Sequence, residues 1–183
     1  MWKLNLSINV KSMSQYNFSN YDAEWLIKQT LRPDDILSQS RRDQIKFLVF
    51  NSLILCYILS QVQDYILLSD NFRPWKIIVT ENTPLVAWFY EQVLNHLHID
   101  MKVLTAYLKA DERKKVVNNF TDSASSLLIL IVMYAVSAQR LNLNSCCTQV
   151  LMTSSAVNVA AEVQAWGRVL WVSYSFISVW RCV

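Results

Sequence analysis

The block Gln164-Ala165-Trp166-Gly167-Arg168 carries the most suggestive chemistry in the chain. Gly167 is the only glycine among 183 residues, where average usage of about 7% would give about 13. A glycine confined to one place suggests a backbone that comes close to another group or takes positive φ. Beside it, Arg168 offers a planar fork of N–H donors and a permanent charge, which suits two-pronged contact with phosphate. A second polar block, Ser137-Ala138-Gln139-Arg140-Leu141-Asn142-Leu143-Asn144, follows the most apolar segment of the chain. Ligands of open α/β sheets gather outside the carboxyl ends of the strands, so both blocks are expected to meet there.

Other chemistry is excluded by composition. A Walker A loop needs two glycines and a dinucleotide fingerprint three, so a self-contained nucleotide-loop ATPase and a standard Rossmann dehydrogenase cannot be built from these residues. The cysteines are Cys56, Cys146, Cys147 and Cys182, and the histidines His96 and His98. No Cys-x-x-Cys pair occurs, and nothing approaches the four convergent ligands of a structural zinc site, so no metal is expected. A disulfide between adjacent Cys146 and Cys147 would be strained, and four reduced thiols in an intracellular protein are expected. The formal net charge of +3 permits a nucleic-acid partner without demanding one. Arg41-Arg42 and Arg113-Lys114-Lys115 read as solvated helix faces, with a phosphate contact the lesser option for the second. Adjacent Asp111 and Glu112 point to different faces, which suits helix-dipole acids better than a catalytic pair. His96 and His98 read as surface or capping residues. Trp88, Phe89 and Tyr90 could stack on bases, yet two of them lie on an apolar stripe and favour the core.

Several elements must position these groups. Residues 1–20 are polar and suggest a loosely ordered arm. Asp22 could cap a helix that Pro33-Asp34-Asp35 ends. The apolar-periodic stretch 47–68 reads as one or two helices by its length, although Phe47-Leu48-Val49-Phe50 is also β-prone. From residue 71 short β-branched runs alternate with amphipathic segments. Strands are predicted at 76–80, 101–105, 127–133 and 148–152. Helices are predicted at 84–97, started by Asn82-Thr83-Pro84, at 111–120, and from residue 160. The run 127–138 is shorter than the ~20 residues of a membrane span and suits a strand buried on both faces, so no membrane partner is expected. The order implies parallel β-α-β units: an α/β fold with a three-layer lobe at 71–183, preceded by an arm and helical segment at 1–70.

At this point the order of segments resembles the C-terminal RecA-like lobe of fungal Swi/Snf-type chromatin-remodelling ATPases within helicase superfamily II. That family shows a Lys-Val-Ile-Ile-Phe type strand, a helix, a segment that runs from an Arg to a Phe, a Gly-Leu-Asn-Leu loop and a Gln-Ala-x-Gly-Arg-x-x-Arg block. The corresponding places hold residues 76–80, the helix 84–97, Arg113 with Phe120, Leu141-Asn142-Leu143, and Gln164-Ala165-Trp166-Gly167-Arg168. The resemblance covers about residues 71–171, and 34–70 more weakly. It implies half of a motor, in which ATP with Mg sits between two lobes and the second lobe supplies arginines to the transferring phosphoryl group. By that likeness Arg168 is the phosphate-contacting arginine, with Gln164 and Gly167 beside the nucleotide. Thr80, Thr105, Ser137 and Asn142 lie where the family touches nucleic acid. The implied partners are DNA and a first RecA-like lobe, and the implied location is the nucleus.

The sequence also departs from the pattern. Neither a phosphate loop nor an acidic metal box occurs in it, Trp171 stands for the second motif arginine, and Arg140 for the loop glycine. The tail 172–183 leaves the pattern, so the lobe is expected to be incomplete at its C-terminus, lacking its closing helix and strand, to leave a sheet edge bare, and to be poorly soluble alone. Two functional readings follow: a helicase or translocase lobe, as remnant or fragment, with no ATPase activity of its own, or a protein-interaction module that keeps the fold only. An unrelated α/β protein is the third and weaker option.

Overall fold

The computed structural model describes residues 28, 40–50, 52–68, 76–137, 143, 147–156, 158–160, 162–163 and 178–181. Two helices come first, α1 (Arg41–Phe50) and α2 (Leu53–Leu68). Then follow β1 (Lys76–Glu81), α3 (Pro84–His96), β2 (Met101–Leu104), α4 (Ala110–Thr121), β3 (Ile129–Met133), the short α5 (Tyr134–Ser137), β4 (Cys147–Met152) and β5 (Ser178–Arg181). The β-prone run at 47–50 is helical, as its place in a long periodic stretch favours.

The five strands form one sheet in the order β2-β3-β1-β4-β5, and every pair is parallel. β1 lies at the centre and is buried at all six positions. Alternate residues of the strands feed two cores. Ile77, Val79, Ile129, Ile131 and Leu151 pack with Leu48, Leu55, Ile58 and Val62 of α1 and α2 and with Val93 and Leu94 of α3. Ile78, Leu130, Val132 and Val150 pack on the other face with Phe120 of α4. Burial on both faces is why these strands read as unbroken apolar runs. The helical segment before residue 71 thus covers the same sheet face as α3, in one continuous core.

The tail departs from expectation. Residues 178–181 pair with β4 in register, Gln149 opposite Ser178 and Met152 opposite Arg181. The strand expected to be missing is therefore present, and β4 is not a bare edge.

Trp88 and Tyr90 are buried in the core, and Phe89 packs against it with its ring 5.9 Å from that of Tyr90. The stacking option for this trio gives way to packing. Burial pushes the Glu91 carboxyl of α3 above its usual value of 4.5, and the Lys102 charge pulls it partly back. Among the described residues no single helix is long and apolar enough to cross a membrane.

Scarcity of glycine shows at the end of α3. The His98 N–H donates to the Asn95 carbonyl and the Ile99 N–H to the Leu94 carbonyl, both at 3.0 Å. This is the paired closure of a helix whose next residue must be left-handed, and His98 takes that role at φ 57°. A Cβ in that region costs about 1–2 kcal/mol, part of which glycine's greater freedom in the unfolded chain gives back.

Candidate functional site

Because all strands are parallel, the segments after β1, β2, β3 and β4 emerge on one rim of the sheet. The chain leaves β1 toward β2 on one side, whereas β4 leads to β5 on the other. The rim between β1 and β4 is thus the topological switch point, the usual place for a ligand crevice in such sheets.

A polar network fills this place. The Glu81 carboxylate, 2% exposed, accepts the Asn82 N–H at 2.8 Å and the Thr83 N–H at 2.9 Å on Oε1. Its Oε2 lies 2.7 Å from the Thr153 hydroxyl, which also approaches the Thr80 carbonyl at 2.9 Å. The Thr80 hydroxyl donates to the Tyr134 phenol oxygen at 3.0 Å, and that phenol donates to the Ser154 carbonyl at 3.0 Å. The Asn82 N–H is shared with the Ser154 hydroxyl at 2.8 Å. The loops after β1 and β4 are thereby tied together, with Tyr134 joining from the end of β3. Thr83 takes the N-cap position of α3 as expected, with Pro84 after it, yet makes no side-chain cap bond. The Glu81 carboxylate, placed at the positive end of α3, does that work instead.

Thr80 departs from its expected role. It was expected to face nucleic acid, but β1 is central, with Thr80 opposite Val132 on one side and Met152 on the other. Its side chain is 2% exposed and bonded inward. Thr105 does stand on the rim, half-buried just beyond β2. Ser137 is the last residue of α5, four positions beyond the end of β3. Asn142, Gln164, Gly167 and Arg168 lie outside the described residues. The helix expected from residue 160 is present at 159–160 and 162–163, and Glu162 there accepts the Ala156 N–H at 3.0 Å.

The Arg113–Phe120 segment is used structurally. Arg113 Nε donates to the Leu108 carbonyl at 2.9 Å, holding the turn between β2 and α4. Glu112 reaches back to the Lys109 N–H at 3.0 Å, a helix-start acid as expected. Phe120 is fully buried and lies beneath Lys76, whose ammonium sits 5.5 Å from the ring centroid.

Sequence reasoning missed Glu81, Tyr134 and Thr153. Glu81 had a usable signal: an acid between a β-branched run and a proline-started helix is well placed to cap that helix. Tyr134 and Thr153 had only their positions, each one residue past the end of an apolar strand.

No protein-family model and no curated protein matches the sequence. Solved structures do match. The C-terminal part of the Fun30 ATPase domain is 18% identical over 86% of this chain and 45% of that one, with a TM-score of 0.54. Domain 2 of the DEAD-box helicase Mss116p, in a structure bound to an RNA duplex, is 15% identical over 75% of this chain and 50% of that one, with a TM-score of 0.55. The chain thus spans about half the length of the solved chains it matches. With its central β1, parallel order and helices on both faces, the chain has the α/β fold of a RecA-like lobe, the fold it shares with these two solved domains.

Proposed function

We propose that this chain is the C-terminal lobe of a Swi/Snf-type ATP-dependent DNA translocase, working in the nucleus and without ATPase activity of its own. ATP with Mg is taken only together with a first RecA-like lobe, to which Arg168 contributes phosphate contacts and Gln164 and Gly167 neighbouring surface. DNA runs over the rim that carries Thr105 and Ser137, with Asn142 joining them by the family resemblance. The observation that carries this reading is the parallel order β2-β3-β1-β4-β5, which gathers the successive inter-strand segments on one rim. The order of segments in the sequence supports the Swi/Snf assignment.

The second reading, a protein-interaction module, draws support from the rim itself. Thr80, Glu81 and Thr153 spend their polar atoms on one another and on Tyr134, as in a lobe that has given up contacts and kept its shape.

Binding to labelled DNA at graded salt separates the two. A lobe that holds phosphates is expected to lose affinity linearly in log salt, with a slope of about −0.9 per duplex phosphate contacted. Absence of any salt-dependent affinity, for single strands as for duplex, would leave the interaction module as the better account.

A further inference from the structure

We propose that Tyr107 is a stacking platform for an unpaired base of a nucleic-acid strand lying along the carboxyl rim, an inference that rests on the nucleic-acid reading above. Once Trp88, Phe89 and Tyr90 are assigned to the core, aromatic surface becomes scarce. Among the described residues the exposed large apolar side chains are Phe50, Leu53, Tyr107, Val159 and Val163. Phe50 and Leu53 flank the junction of α1 and α2. Of the two exposed aromatics, Tyr107 is the one on the rim, two residues past Thr105 in the turn after β2, and it is 65% exposed.

Its exposure is imposed by its neighbours. Leu108 packs into the second core beside Val116 and Val117. The Leu108 carbonyl is held by Arg113 at 2.9 Å and its N–H reaches the Thr105 carbonyl at 3.4 Å. The Lys109 N–H is fixed by Glu112 at 3.0 Å. A turn pinned in this way holds the backbone that carries the ring, which lowers the entropy lost when a flat partner settles on it. Base–aromatic stacking is tolerant of sequence, because every base offers a π-face. The surroundings suit a polyanion. Lys109, Lys114 and Lys115 are exposed along the turn and α4 beside the acids Asp111 and Glu112, of which Glu112 is engaged by the cap. At ~4.8 Å between strands, the rim from β2 to β4 measures about 14 Å, room for a short stretch of a single strand. Tyr107 stands at the β2 end of that path, where a strand entering or leaving the rim would present a base.

The test measures binding of the full chain to fluorescein-labelled oligothymidylate by anisotropy, with circular dichroism as the check on folding. Tyr107→Ala is expected to weaken binding by about 5- to 150-fold with an unchanged salt slope, since no phosphate contact is lost. Tyr107→Phe is expected to stay within about twofold, because the ring is kept. A 4-thiothymidine oligonucleotide is expected to crosslink at Tyr107. Wild-type affinity in Tyr107→Ala would overturn the inference and leave the nucleic-acid reading standing. An equal loss in Tyr107→Phe would also overturn it. If the wild-type chain shows no salt-sensitive affinity for the oligonucleotide, both readings fail together.

Discussion

Lys76→Ala is expected to destabilise the lobe by about 3–5 kcal/mol, enough to unfold a chain of ordinary marginal stability. Lys76 begins the central strand and is 1% exposed. Its ammonium donates to the carbonyls of Phe120 and Asp122, each at 2.7 Å, and lies over the Phe120 ring. These carbonyls belong to the last turn of α4 and the residue just after it, where the helix dipole is negative. One buried cation therefore fastens the end of α4 to the start of β1. Truncation removes three buried methylenes, worth ~0.8 kcal/mol each, and takes a charged donor from two carbonyls, at ~1–3 kcal/mol for each left unsatisfied. The upper end of that sum is not reached, because water enters the vacated space and because a lysine is costly to bury. Lys76→Met separates the parts. It keeps the stem and loses only the donor, so about 2 kcal/mol is expected from the midpoint of urea unfolding. Buried ion sites can be replaced by apolar groups without loss, and a methionine variant as stable as the wild type would show that the clamp contributes nothing beyond its carbon atoms.

Much of this fold could be read from residue patterns alone. Runs such as Ile77-Ile78-Val79 and Ile129-Leu130-Ile131-Val132 are apolar at successive positions, which only a strand covered on both faces requires. Thr83-Pro84 placed the start of α3 because a residue without an N–H suits the first helical turn. What escaped was what depends on distant partners. Ser178-Val179-Trp180-Arg181 carries little strand signal, and its place beside β4 comes from pairing with residues about 30 positions earlier. Thr80 reads as a strand-end polar residue suited to a ligand. Its inward turn is decided by Tyr134, 54 residues later, and by the central place of β1, which local sequence does not encode.

The candidate site divides along the same line. Groups held by their own neighbours were legible, as Glu112 at the start of α4 was. Glu81 serves two neighbours and the distant Thr153 at once, so its local signal was visible and its full role was not. The rim follows from strand order, and strand order follows from which runs are apolar on both faces. The contents of the rim follow from pairings that cross the sheet.

The final expectation concerns Arg168 and follows from the proposed division of labour between two lobes. Phosphoryl transfer builds charge on oxygens that the phosphate loop, metal and arginines must neutralise together. The chain encodes neither the loop nor the acidic box, so the purified chain is expected to release no phosphate from ATP, before or after Arg168→Ala. Supplied with a first RecA-like lobe in trans, the wild-type assembly is expected to turn over, and Arg168→Ala to lower that turnover by about 10³-fold or more, the range for an arginine acting on the transition state. Arg168→Lys should recover little, since a point charge cannot reproduce a two-pronged fork. The lysine variant also distinguishes mechanism from folding: it preserves charge and bulk, so a lobe that binds DNA normally yet fails in turnover locates the defect at the phosphate. Turnover by the isolated chain that disappears with Arg168→Ala would overturn the two-lobe argument. Undiminished turnover in the mutant assembly would remove Arg168 from the phosphate.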